Sequence, residues 1–93
     1  MKKIKLAITG SLGRMGQQVF KSSFKNKNFK IVTLTESKII KKKFKGFLIE
    51  KNTFESINKA DVVIDFSTPK CTLEVLSIAS KLRKKVVIGT TGF

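Results

Sequence analysis

Residues 5–20 read KLAITGSLGRMGQQVF. An apolar run, Leu6-Ala7-Ile8, enters a loop with glycines at Gly10, Gly13 and Gly16. Residues Ile4 to Thr9 are mostly apolar, which predicts a strand buried on both faces of a parallel sheet. Met15, Val19, Phe20 and Phe24 then recur at helical spacing, so a helix from about Gly13 to Phe24 would lay one apolar stripe on that sheet. A strand, a glycine loop and a helix in this order form a candidate phosphate cradle. One glycine permits a sharp turn, one lets a pyrophosphate approach the main chain, and one lets the helix pack against the strand. The helix N-terminus adds unpaired amides and a partial positive charge. The spacing Gly10-x-x-Gly13-x-x-Gly16 matches the usual fingerprint in its second half, while its first interval is one residue longer.

Downstream, FKIVTLT at 29–35 predicts a second strand. Glu36 follows it, twenty residues beyond Gly16, where a carboxylate can accept hydrogen bonds from adenosine ribose hydroxyls. In SKIIKKKFKGFLIEK, 37–51, the lysine run reads as an exposed loop and Phe47-Leu48-Ile49 as an edge strand. Asn52 with Glu55 resembles a helix cap, predicting a short helix through about Lys59. ADVVIDF at 60–66 predicts a further buried strand. Thr68-Pro69 starts a helix, because proline is pre-set for the first helical position. Leu73, Leu76, Ala79 and Leu82 are its expected stripe. Val86 to Ile88 forms a last strand leading into Gly89-Thr90-Thr91-Gly92. Strands alternating with helices mean βαβ units, hence an α/β fold with a parallel sheet covered by helices.

The chain has 93 residues, a formal net charge of +14, one cysteine and no histidine. That length allows one modest domain. Cys71 can form no internal disulfide, and without histidine a zinc site of the usual ligands is not expected. No apolar run is long enough to span a bilayer and no signal peptide is evident, so a cytoplasmic location is expected. Nearly all the positive charge is lysine, with Arg14 and Arg83 the two arginines. Few side chains can therefore make the bidentate fork that nucleic-acid readout favours, and the charge reads as a solvated surface. Cys71, in the first turn of a helix, reads as a packing residue, and Asp65 as a brace for the loop after its strand.

Three segments in order, GSLGRMG (10–16), VVIDFSTP (62–69) and VVIGTTGF (86–93), make the chain resemble the 4-hydroxy-tetrahydrodipicolinate reductase (dihydrodipicolinate reductase) family along essentially its whole length. The resemblance implies a Rossmann-like NAD(P)-binding domain, incomplete over residues 1–93 and truncated after about the fifth strand, with no substrate-binding and catalytic domain. It implies NADH or NADPH as cofactor and hydride transfer to a cyclic dicarboxylate in lysine and diaminopimelate biosynthesis, with the full-length family homotetrameric. By position, Gly10, Ser11, Leu12, Gly13, Arg14, Met15 and Gly16 would line the pyrophosphate and Glu36 would take the adenosine ribose. Phe66, Gly89, Thr90 and Thr91 would border the nicotinamide.

The chain departs from the family where Ser37 and Lys38 follow Glu36, since some members place an arginine there. The family's histidine-rich motif with its catalytic lysine does not occur, so no catalytic residue is assigned. The chain is expected to be an N-terminal fragment that holds the dinucleotide without catalysing. Two alternatives are a split enzyme completed by a second polypeptide and a self-standing basic nucleotide- or RNA-binding module.

Overall fold

The computed structural model describes residues 3–37 and 43–89. Strand β1 (Ile4–Thr9) leads to helix α1 (Arg14–Phe24) and strand β2 (Phe29–Glu36). A hairpin of β3 (Lys43–Phe44) and β4 (Phe47–Lys51) follows, then α2 (Phe54–Asn58), β5 (Val62–Asp65), α3 (Pro69–Leu82) and β6 (Lys85–Ile88). The six strands form one sheet in the order β3-β4-β2-β1-β5-β6, parallel except for β3 against β4. This is the expected α/β architecture, Rossmann-like, with β1 at its centre.

Successive side chains of a strand face opposite sides, and β1 divides the core accordingly. Ala7 packs with Val63, Ile57, Val75 and Ile78, between the sheet and helices α2 and α3. Ile8 packs with Phe20, Ile31, Leu34 and Ile49, beneath α1. Ile31 and Leu34 share that face although three residues apart, because the pairing of β1 with β2 skips Val32 between Leu6↔Ile31 and Ala7↔Thr33. The extra residue is a bulge that resets the alternation, and it sends Val32 toward the opposite core.

Several expectations are corrected. The lysine-rich middle contains a strand: β3 pairs with β4 through a two-residue turn at Lys45 and Gly46, whose φ angles are 51° and 88°. Two successive positive φ values match the right-handed twist of a hairpin. The sheet therefore has six strands, and β3 rather than Phe47-Ile49 lies at that edge. The cap of α2 is Thr53, not Asn52. Thr53 Oγ1 accepts from Ser56 N–H, and Ser56 Oγ accepts from Thr53 N–H. Asn52 is instead buried. Thr53→Ala is expected to lower stability by about 1 kcal/mol, read as a shift of the urea midpoint at unchanged slope.

The expected helix stripes are also rotated. On α3 the buried residues are Cys71, Thr72, Val75, Ile78 and Ala79, and Leu73 is 61 % exposed. On α1, Gly16, Phe20 and Ser23 are buried while Met15 and Phe24 are exposed. Small and polar residues share each inward face with Phe20 or with Val75 and Ile78, so apolarity alone misplaces it. Ile4 and Lys5, at the start of β1, are exposed as well.

Candidate functional site

The carboxyl ends of β1, β2 and β5 converge where the glycine loop leaves the sheet. Gly10 holds φ +67°, and a Cβ there would lie 2.5 Å from the Phe66 carbonyl oxygen. Gly16 sits in the first turn of α1, where a Cβ would overlap the Gly10 carbonyl and stand 2.9 Å from Ser11 Cα. These two glycines are required by the protein's own backbone. Gly13 is different. Its φ of −72° and ψ of 168° suit any residue, and a Cβ there would meet only Gly10 O, at 3.4 Å.

The loop is tied to the end of β2. Ser11 is buried, and its N–H and Oγ–H both donate to Thr35 O at 3.2 Å. Leu12 N–H donates to Glu36 Oε2 at 2.7 Å. Gln17 reaches back from α1, donating from Nε2 to Leu12 O at 2.8 Å. With the loop so held, Gly13 caps α1 with no side-chain hydrogen bond and no acidic residue in the first turn. Arg14 and Met15 are exposed beside it. The first-turn amides and the positive end of the helix dipole therefore face outward over a glycine with space above it. That is what a pyrophosphate needs, and these residues fit one.

Phe66 and Gly89, distant in sequence, meet at the ends of β5 and β6. A side chain on Gly89 would fall into the Phe66 ring, 2.6 Å from Cζ. Gly89 N–H donates to Asp65 O at 2.7 Å, and Phe66 N–H to Thr9 O at 3.2 Å. Thr90 and Thr91 lie outside the described residues, as does Lys38.

Asp65 is fully buried. Oδ1 accepts from Thr9 Oγ1 and from Ser67 N–H and Oγ–H, and Oδ2 accepts from Thr72 Oγ1. It joins β1, β5 and the start of α3, the bracing role expected of it. A second buried chain runs from Thr35 Oγ1 to Asn52 Oδ1 and from Asn52 Nδ2 to Cys71 Sγ, the latter at 3.0 Å. Burial pushes the Cys71 thiol up, aided by the charges of Asp65 and Glu74, against hydrogen bonds from Ser67 and Asn52 that pull it down. A thiol raised in this way stays protonated at neutral pH, consistent with a packing residue. The joint role of Asn52 and Thr35 had no legible signal in the sequence, because it depends on β2 and β4 ending where α3 begins.

Ser37, Lys51, Thr68, Lys70, Cys71 and Glu74 line a cleft of about 380 Å³ beside Glu36. The two lysines are absent from the site read from the sequence. Among the described residues no helix is long and apolar enough to cross a membrane, and no group of histidine, cysteine, aspartate and glutamate could hold a metal ion.

Comparison with known proteins agrees with this geometry. The 4-hydroxy-tetrahydrodipicolinate reductase of Pelagibacter ubique (strain HTCC1062) is 62 % identical over all of this chain and 36 % of its own length. That of Buchnera aphidicola subsp. Cinara cedri is 39 % identical over 98 % of this chain and 38 % of its own. The chain thus spans little more than a third of these relatives. The dipicolinate-bound dihydrodipicolinate reductase of Paenisporosarcina sp. TG-14 superposes with a TM-score of 0.80 at 28 % identity, over 99 % of this chain and 39 % of that one. The family model described as dihydrodipicolinate reductase, N-terminus, matches residues 4–93, and with it the chain belongs to the dihydrodipicolinate reductase family, as the N-terminal part.

Proposed function

We propose that residues 1–93 are the dinucleotide-holding portion of a reductase that uses NADH or NADPH to reduce a cyclic dihydrodipicolinate-type substrate to tetrahydrodipicolinate. The observation that carries this reading is Gly13. It is the one glycine of the loop that no contact within the protein demands, and it lies at the uncapped start of α1. A residue kept small with nothing of its own chain in the way suits an external ligand approaching the main chain.

In this reading the amides from Arg14 to Gly16 hold the pyrophosphate, with the Arg14 side chain beside it, while the Gly13 N–H donates to Gly10 O at 3.1 Å and holds the loop in shape. Glu36, already oriented by Leu12 N–H, accepts the adenosine ribose hydroxyls. Phe66 and the backbone at Gly89, continuing through Thr90 and Thr91, border the nicotinamide. When bound, the reduced nicotinamide supplies a hydride. The chain's own residues position that donor and shield one side of it. A proton source and groups for the substrate carboxylates are also needed. We assign them to the portion of the relatives that this chain does not cover.

Titration with NADH and with a short single-stranded RNA across a salt series tests the reading. Saturable NADH binding with a modest salt dependence is expected. Steeply salt-dependent RNA binding without an NADH signal would instead support a basic nucleic-acid module carrying the charge of +14.

A further inference from the structure

Helix α1 ends on Phe24, at the end of the sheet where β2 and β4 begin. Its ring stacks on Phe20, with centroids 5.5 Å apart and planes inclined by 16°. Phe20 is 3 % exposed and packs further against Phe44 and Phe47, at 5.2 and 5.8 Å. Phe24 carries this aromatic cluster out of the core and is itself 64 % exposed. It stands between two clefts. The larger, of about 550 Å³, has Phe20 and Phe24 as its apolar part and Lys21, Lys25 and Lys45 around them. The smaller, of about 350 Å³, sets Phe24, Phe29 and Phe47 between Lys3 and Lys30. All five lysines are exposed, and none is in an ion pair among the described residues. No described carboxylate lines either cleft.

An apolar floor with a rim of one sign selects for an occupant of the opposite sign. A second copy of this chain, at +14, would bring like charges together. Single-stranded nucleic acid favours a series of open rings and arginine forks, whereas here one ring is exposed and every cation is lysine. Concave spaces on both sides of a projecting ring suit side chains inserted from a polypeptide. We propose that this surface docks an acidic segment of a partner protein, which places apolar side chains on either side of Phe24 and its carboxylates among the five lysines. The surface lies at the far end of α1 from the glycine loop, about 15 Å away along an eleven-residue helix. It is therefore separate from the dinucleotide site and does not rest on that reading.

Fluorescence anisotropy tests the proposal, with the 93-residue chain titrated into a fluorescein-labelled peptide of about twelve residues, rich in glutamate, with leucine and phenylalanine at i and i+4. Saturable binding that weakens with salt is expected. Phe24→Ser keeps the charge of +14 and should weaken binding about tenfold or more, as for loss of a central aromatic anchor. Lys21→Glu combined with Lys25→Glu changes only exposed positions, so it keeps the test standing if Phe24→Ser does not fold, and it should weaken binding by a similar factor. Absence of peptide binding, or affinity unchanged in Phe24→Ser, overturns the proposal, the latter by showing that bulk charge alone attracts the peptide. Tighter binding of a single-stranded RNA or of phosphatidylserine vesicles, lost in Phe24→Ser, overturns it in favour of that ligand. A dimer in sedimentation that Phe24→Ser dissociates overturns it in favour of self-association.

Discussion

Gly13→Val is expected to abolish dinucleotide binding while leaving the fold intact, with NADH affinity reduced about a hundredfold or more through loss of several charge-assisted amide contacts. The argument rests on the contrast among the three glycines. Valine tolerates the extended backbone at Gly13, and its Cβ would meet only Gly10 O at 3.4 Å. The cost to the helix start is therefore under about 1 kcal/mol, the difference between glycine and a branched residue at a cap. The branched side chain would instead occupy the space beside the first-turn amides, where the proposed pyrophosphate site lies. Gly16→Ala is the control. Its Cβ would collide with the Gly10 carbonyl and Ser11 Cα, so it should lose about 2 kcal/mol or more of stability by overpacking. Urea unfolding and NADH titration on both variants separate the two effects. A folded Gly13→Val chain with unchanged NADH affinity would falsify the site.

The second large effect concerns Asp65. Exchange for alanine takes the acceptor from Thr9, Ser67 and Thr72 at once, and Thr9 and Thr72 are fully buried. Leaving a buried hydroxyl without its acceptor costs about 1–3 kcal/mol, and here two are affected together. A domain of this size has roughly 5–14 kcal/mol in total, so Asp65→Ala should unfold at a far lower urea concentration or fail to fold. Asp65→Asn keeps an acceptor for Thr9 and should fall in between. A midpoint for Asp65→Ala within error of the unaltered chain would show that the network contributes little. Because Asp65 O also receives Gly89 N–H and Thr9 O receives Phe66 N–H, the same loss would loosen the Phe66–Gly89 contact.

Much of this architecture was legible in the residue order. β1, α1, β2, β5, α3 and β6 fall close to where periodicity and the Thr68-Pro69 start place them, because their apolar runs are long and their punctuation is strong. The misreadings share one cause. Lys43-Phe44 looks like part of a solvated lysine run until Lys45-Gly46 turns it back on Phe47, and the strand exists only because β4 is there to pair with it. Thr53 and Ser56 cap α2 with side chains of ordinary type, one residue away from an equally suitable Asn52. The inward faces of α1 and α3 carry Gly16, Ser23, Cys71 and Thr72, residues that an apolar stripe does not pick out.

By itself the sequence determined the α/β class, the position of the glycine loop, the carboxylate at 36 and the family resemblance carried by three ordered segments. These are properties of local spacing, and local spacing survives without a partner. Which glycine is free to face a ligand was decided only in three dimensions. Gly10 and Gly16 are demanded by the Phe66 and Gly10 carbonyls, Gly13 by nothing within the chain. The binding of Leu12 to Glu36, the burial of Asp65 and Asn52, and the gathering of Lys51 with Lys70 were decided there too. Each depends on strands distant in sequence ending at the same edge of one sheet, and no local pattern encodes where that edge will be.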